Sequence, residues 1–102
     1  MAFTNTTGRY ATFGTISTIP GEIIDSFWYI IDQHLKGVLP LDDLLNFELL
    51  NHNGFLSIRF SQENNPVEIT IDFKYPFNNT WPRLFYAVDN KGRETIMVPK
   101  EL

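Results

Sequence analysis

The chain has 102 residues, of which 43% are hydrophobic, 15% aromatic and 20% charged, and its formal net charge is −4. This length fits one domain, and the many large apolar side chains exclude an intrinsically disordered chain. The chain has no cysteine, which excludes a disulfide framework and a thiolate metal site.

The first residues predict a flexible segment followed by a short strand. Residues 1–8 have neither the basic region nor the apolar region of a signal peptide. We expect residues 1–8 to be a flexible N-terminus and residues 9–102 to form the single domain. Residues 9–14 read as a strand with Tyr10 on one face. No apolar run approaches the roughly 20 residues that span a bilayer, so we expect a cytoplasmic protein without a membrane partner.

One helix is predicted over residues 20–36. Pro20 suits the first helical position, Glu22 complements the positive end of the helix dipole, and Gly37 suits the residue after the helix. At 100° per residue, the helix has one wide apolar side, which predicts packing across a sheet. That side consists of Ile23, Ile24, Phe27, Trp28, Ile30, Ile31, His34 and Leu35.

Alternating apolar and polar residues predict the strands that follow the helix. Residues 44–50 and 55–61 alternate on either side of Asn53-Gly54, a strong hairpin signal. Residues 67–73 alternate in the same way, and residues 83–88 and 94–98 form a second hairpin. The fold class is therefore α+β, with a single amphipathic helix packed on one face of a five- to six-stranded, mainly antiparallel sheet. The strand order stays open.

Short blocks in a fixed order resemble a known family. They are Gly8-Arg9-Tyr10 with Gly14; Ile19-Pro20; Trp28 with Ile31-Asp32; Leu41-Asp42 with Phe47-Glu48-Leu49; Ser61-Gln62-Glu63 with Pro66; and Glu94-Thr95-Ile96-Met97-Val98. Over residues 8–102 they resemble the domain of unknown function 960 family, small uncharacterised proteins of Gram-positive bacteria and their mobile elements. The chain departs from the family pattern at Phe13, where a basic residue is common, and at Arg59-Phe60, where a His is common. The resemblance implies a cytoplasmic α+β domain with no known cofactor.

The residues present do not form a recognisable catalytic or metal site. His34 and His52 are the only histidines, and the spacing places His34 on the apolar side of the helix and His52 in a hairpin turn. No serine lies in a nucleophile elbow, and the glycines are dispersed rather than grouped in a phosphate-binding loop. We therefore expect no catalytic residues, no metal and no cofactor.

The polar side of the helix is the first candidate binding site. Tyr29 lies near its centre, with Glu22 and Asp25 towards the N-terminus and Asp32 one turn further on. Tyrosine is a common interface anchor, and the three acids could meet a basic partner. The alternative is an ordinary solvated helix face with one exposed aromatic side chain.

The aromatic loop of residues 73–86 is the second candidate. Tyr75, Phe77 and Trp81 could form a platform on which a small ligand stacks. The alternative is a lid whose aromatic side chains close one end of the core.

These features predict a non-catalytic protein-interaction module that binds through the acidic helix face. The family resemblance implies that it belongs to a Gram-positive cell or its mobile elements. Residues 1–51 contain six acids and two bases, so they carry the whole charge excess, which disfavours nucleic acid as a partner. The alternative is a small-molecule-binding or enzymatic domain with its site under the aromatic loop. The identity of the partner and the oligomeric state stay open.

Overall fold

One six-stranded sheet organises residues 2–102, which are the residues described by the computed structural model. The strand order is β1-β6-β5-β2-β3-β4, with β1 parallel to β6 and every other neighbouring pair antiparallel. The predicted α+β class with a mainly antiparallel sheet is confirmed. The strands are β1 (Gly8–Ala11), β2 (Leu44–His52), β3 (Phe55–Gln62), β4 (Asn65–Pro76), β5 (Leu84–Asn90) and β6 (Arg93–Met97).

The predicted helix forms, but it is not the only one. Helix α2 (Gly21–Ile30) continues directly into a π-helical turn, Ile31–Leu35, which gives a helix of 15 residues. A one-turn helix, α1 (Phe13–Ile16), precedes it, and a 3-10 turn (Pro99–Glu101) ends the chain.

Helix α1 corrects the predicted strand over residues 9–14. Strand β1 ends at Ala11, because the hydroxyl oxygen of Thr12 accepts a hydrogen bond from the backbone N–H of Thr15 at 3.3 Å. Such a cap satisfies one of the free N–H groups of a helix start, so it favours a helical turn over continued strand.

Helix α2 packs against the middle of the sheet through aromatic side chains. Phe27 is fully buried, and its ring centroid lies 5.1 Å from that of Phe47 in β2 and 5.5 Å from that of Phe85 in β5. Ile23 and Ile30 are also fully buried. Burying each such side chain stabilises the fold by about 1.5–3 kcal/mol, so this contact fixes the helix on the sheet.

Two tight turns of the same kind close the β2–β3 and β5–β6 hairpins of the sheet. Asn53 and Gly54 have φ of 53° and 89°, and Lys91 and Gly92 have φ of 54° and 91°. Positive φ at both central residues is typical of the turn whose twist matches paired strands. Gly92 has a further constraint, because a Cβ there would lie 2.4 Å from the backbone oxygen of Asn5.

The N-terminal segment packs against the second of these turns. Phe3 is fully buried, and its backbone N–H donates to Asp89 Oδ2 at 2.8 Å. The backbone N–H of Thr7 donates to the Gly92 carbonyl at 2.8 Å. We predicted a flexible segment over residues 1–8, but the described part of it, residues 2–8, packs on the domain because the Phe3 side chain is buried in the core.

Candidate functional site

The outer helix face is the surface formed by Glu22, Asp25, Tyr29 and Asp32. Glu22 and Asp25 are exposed, and Tyr29 is 50% exposed. Residues three and four apart lie on one side of a helix, so α2 brings these side chains together. The structure thus places Glu22, Asp25 and Tyr29 together on the exposed side of the helix. Asp32, the fourth predicted residue, instead contacts Arg9 of β1.

Tyr29 rests against His34. Their ring centroids lie 5.5 Å apart, with the ring planes at 71° in an edge-to-face contact. In a π-helical turn the backbone carbonyl of residue i accepts a hydrogen bond from the N–H of residue i+5, so successive residues turn less about the helix axis than in an α-helix. His34 therefore lies over Tyr29 rather than on the opposite side of the helix. The prediction that His34 lies on the apolar side of the helix is wrong, since it assumed uniform α-helical geometry through Leu35. His34 is half-buried beside Tyr29 instead.

The carboxylate of Asp32 is neutralised within the chain. Arg9 donates to both of its oxygens, at 2.7 and 2.6 Å, and Lys36 Nζ lies 3.5 Å from Oδ1. The hydrogen bonds from Arg9 are the main reason that the pKa of Asp32 lies below its ordinary value. The same bonds raise the pKa of Arg9 above its ordinary value, although partial burial opposes this. Asp32 therefore offers a partner less negative charge than the sequence predicts.

Arg9 connects the sheet to the helix. Its Nε donates to Glu94 Oε1 at 3.0 Å, and its guanidinium lies 4.7 Å from the ring centroid of Trp28. Glu94 is fully buried and also accepts from Thr6 Oγ1 at 2.5 Å. The sequence analysis missed this network.

A signal for the network exists in strand β6. Glu94 occupies the same alternating phase as Ile96, which is fully buried, and Val98, which is buried. A carboxylate on the inward side of a strand requires a partner, because an unpaired buried charge is costly. That phase could have identified Glu94, although it could not have named Arg9.

The uncompensated acids of the outer helix face lie at its N-terminal end. Within residues 2–102, no ion pair involves Glu22 or Asp25. Glu22, in the first turn of α2, also complements the positive end of the helix dipole, worth about 0.3–1 kcal/mol. The part of the face that can attract a basic partner is thus Glu22 and Asp25, which lie two turns and one turn before Tyr29.

The aromatic loop surrounds a buried tryptophan. Trp81 is only 8% exposed, and its ring lies 6.1 Å from that of Tyr75 and 5.8 Å from that of Phe77, centroid to centroid. An open groove of about 660 Å³ runs past these three residues and past Pro20 and Asn51. The three side chains pack on one another and on the core, so little of the Trp81 side chain is available to a ligand.

Another groove, of about 1200 Å³, lies beside the loop that precedes β2. Two of its carboxylates accept backbone hydrogen bonds, Asp42 from Asn64 at 3.0 Å and Asp89 from Gly92 at 2.8 Å. These acids therefore fix turns.

In residues 2–102 no group of three or more His, Asp or Glu side chains is placed to hold a metal ion. The same residues include no helix with the length and apolar character that crossing a membrane requires.

Comparison with known proteins gives a family and a similar structure, but no activity. The model of a family described as "Staphylococcal protein of unknown function (DUF960)" matches residues 8–101. A crystal structure of a protein of unknown function from Enterococcus faecalis is 48% identical and has a TM-score of 0.91. That similarity covers 93% of this chain and 90% of the other. No curated protein matches the chain.

Proposed function

We propose that this chain, which belongs to the DUF960 family of staphylococcal proteins of unknown function, is a non-catalytic protein-interaction module. The module binds a basic partner protein through the outer helix face, with Tyr29 as the anchor. A mobile-element origin is part of this proposal and would fit a small protein that acts by binding a host protein.

The observation that carries the proposal is the position of Tyr29. Half of its side chain is exposed, and the contact with His34 restrains the ring. Ordering a side chain on binding costs about 0.5–1.5 kcal/mol, and a ring that is already restrained avoids part of this cost. A restrained, half-exposed tyrosine is therefore a better anchor than a mobile one.

The charge of the outer helix face indicates the chemistry of the partner. Glu22 and Asp25 are exposed, and neither forms an ion pair with a residue of the described range 2–102, whereas Asp32 is held by Arg9. Exposed charges around an anchor accelerate association with a partner of opposite charge, and salt screens this effect. A lysine- or arginine-rich protein surface is the expected complement.

Quantitative affinity capture tests the proposal. The tagged chain is incubated with a lysate of the cells that encode it, and the captured proteins are quantified by mass spectrometry. We expect Tyr29→Ala to reduce recovery of a specific basic partner at least tenfold, because hot-spot residues contribute about 2 kcal/mol or more. Asp25→Lys should reduce recovery of this partner more at low salt than at high salt, because salt screens the interaction between exposed charges.

Matched controls separate this face from the rest of the surface. Tyr10 is 47% exposed in β1, so Tyr10→Ala removes a tyrosine of similar exposure elsewhere. Glu63→Lys introduces a lysine at an exposed acid in the turn between β3 and β4. Recovery that falls equally in Tyr10→Ala and Tyr29→Ala, or in neither, would contradict the proposal.

The aromatic loop is the less favoured candidate. A stacking platform needs an accessible ring face, whereas Trp81 is buried among Tyr75 and Phe77. We therefore assign the loop to closing the core beside Pro20 rather than to ligand binding.

A further inference from the structure

We propose that β4 pairs with β4 of a second copy of this chain, antiparallel and about a two-fold axis at Ile71. The result is a homodimer with one continuous twelve-stranded sheet. A two-fold axis perpendicular to the sheet places both α2 helices on the same side. The two outer helix faces would then form one bivalent surface.

Strand β4 has the properties of a pairing edge. It is the longest strand, with 12 residues, and in the part of the chain that the structure describes its only sheet neighbour is β3. An edge of this length presents a row of backbone N–H and C=O groups without a strand partner. At its start the N–H of Val67 donates to Asn65 Oδ1 at 3.0 Å, a bond that pairing would replace. Pro66 and Pro76 lie near its two ends, and residues 67–75 between them contain no proline. Proline cannot donate to a ladder, so a pairing of nine residues is the longest that this edge allows.

The midpoint of residues 67–75 is Ile71, which sets the register of the proposed pair. Ile71 then faces Ile71 of the second copy, Ile69 faces Phe73, and Val67 faces Tyr75. Ile69, Ile71, Phe73 and Tyr75 pack partly buried against the core on the helix side of the sheet, and Val67 is 44% exposed. Every pair on this side is thus apolar, and pairing would complete its burial.

The opposite side of β4 carries complementary charges in the same register. Glu68 faces Lys74 of the second copy, and the two-fold axis repeats this pair. Thr70 faces Asp72, whose carboxylate accepts from Ser57 Oγ at 2.5 Å. Charged residues on an edge strand usually deter pairing. In this register, however, Glu68 and Lys74 lie opposite each other, so their charges attract and favour pairing.

Neighbouring registers are less favourable. A two-fold axis at Thr70 places Glu68 opposite Asp72 twice, and an axis at Asp72 places two Asp72 side chains opposite each other. Like charges directly opposite destabilise a strand pair. An axis at Phe73 pairs Asp72 with Lys74 but brings Pro76 opposite Thr70 inside the ladder. The β3–β4 irregularities lie on either side of Ile69–Asp72, so the centre of the strand is regular.

Sedimentation velocity over a concentration series tests the dimer. An edge-to-edge contact is smaller than a standard interface of about 1,600 Å², so we expect reversible dimerisation at micromolar to millimolar protein. Glu68→Lys and Lys74→Glu should each weaken dimerisation about tenfold, since each creates two like-charge pairs. The double variant Glu68→Lys/Lys74→Glu should restore it. Glu63→Lys, outside the paired residues, should leave it unchanged.

A cysteine probe tests the register independently of charge. The chain has no cysteine, so a single introduced thiol reports only its own proximity. Ile71→Cys should form a disulfide-linked dimer under mild oxidation, because opposed Cβ atoms lie about 4.5–5.5 Å apart. Val67→Cys is the control, since residue 67 faces residue 75 and not itself.

Three results would overturn the proposal. They are a monomer throughout the concentration series, a dimer that is insensitive to both charge reversals, and equal cross-linking of Ile71→Cys and Val67→Cys. Thermal unfolding of each variant identifies loss of folding. If Ile71→Cys does not fold, the charge-reversal series decides alone.

Discussion

At the scale of single residues, Arg9 determines how the charges of the candidate site are used. Its guanidinium bonds Asp32 on the helix and Glu94 on β6, so one cation holds two carboxylates from different elements. Glu94 is fully buried, and removing its cation would leave a buried charge whose remaining partner among residues 2–102 is Thr6. Arg9 is therefore a structural residue, and it leaves Glu22 and Asp25 as the acids available to a partner.

The ion pair of Asp32 predicts a specific pH dependence of stability. The pKa of Asp32 is lower in the folded chain than its ordinary value of 3.8, mainly because of the bonds from Arg9. The resulting stabilisation is full above the unfolded-state pKa and is lost as pH falls through the folded-state pKa. The difference in unfolding free energy between wild type and Asp32→Asn should thus be greatest near neutral pH and shrink below about pH 4. Urea unfolding across this range measures it.

Asp25→Asn is the control for this experiment, because Asp25 is exposed and its carboxylate takes part in no ion pair within residues 2–102. Its unfolding free energy should stay near that of wild type. A difference in unfolding free energy between wild type and Asp32→Asn that does not change with pH would contradict the proposed ion pair between Asp32 and Arg9.

At the scale of elements, local geometry decides where the helix and the turns end. The π-helical turn Ile31–Leu35 places His34 against Tyr29, which no uniform helical periodicity predicts. The exposure of Glu22, Asp25 and Tyr29, in contrast, follows from the α-helical spacing before that turn. The candidate site was thus predictable up to Ile30.

The two hairpin turns allow a matched prediction. Gly54 and Gly92 both have positive φ, but only a Cβ at Gly92 meets another atom, the Asn5 oxygen at 2.4 Å. Gly54→Ala should cost about 1–2 kcal/mol from backbone strain alone. Gly92→Ala should cost about 1 kcal/mol or more beyond that, because the N-terminal segment must move. Urea unfolding gives both values, and faster proteolysis within residues 2–7 should accompany only Gly92→Ala. An equal loss of unfolding free energy in the two variants would show that the N-terminal segment does not restrict the space at Gly92.

At the scale of the whole molecule, the N-terminal segment is part of the core. Phe3 is fully buried and, through Asp89, is held beside the turn between β5 and β6. The family match begins at residue 8, after this segment. The similarity to a staphylococcal family that the ordered motifs predicted is confirmed by that match.

Phe3→Ala should therefore destabilise the protein as a core substitution does, by about 3–5 kcal/mol. Phe13→Ala is the matched control, since Phe13 is 83% exposed, and it should change stability by about 0.5 kcal/mol or less. Thermal unfolding compares the two. Similar melting temperatures for both variants would mean that residues 2–8 contribute little to the folded state.

The sequence alone determined most elements of this protein, whereas only the tertiary structure decided how they combine. Strands β2 to β6, the long helix and the two glycine-containing turns follow from period-2 patterns, helical periodicity and Asn-Gly or Lys-Gly pairs, which are properties of neighbouring residues. Helix α1, in contrast, lies where we predicted the end of a strand. The strand order, the burial of Phe3 and the bonds from Arg9 to Asp32 and Glu94 depend on residues far apart in the chain, 85 positions in the case of Arg9 and Glu94. A local pattern carries no information about such contacts, because packing of the whole chain selects them.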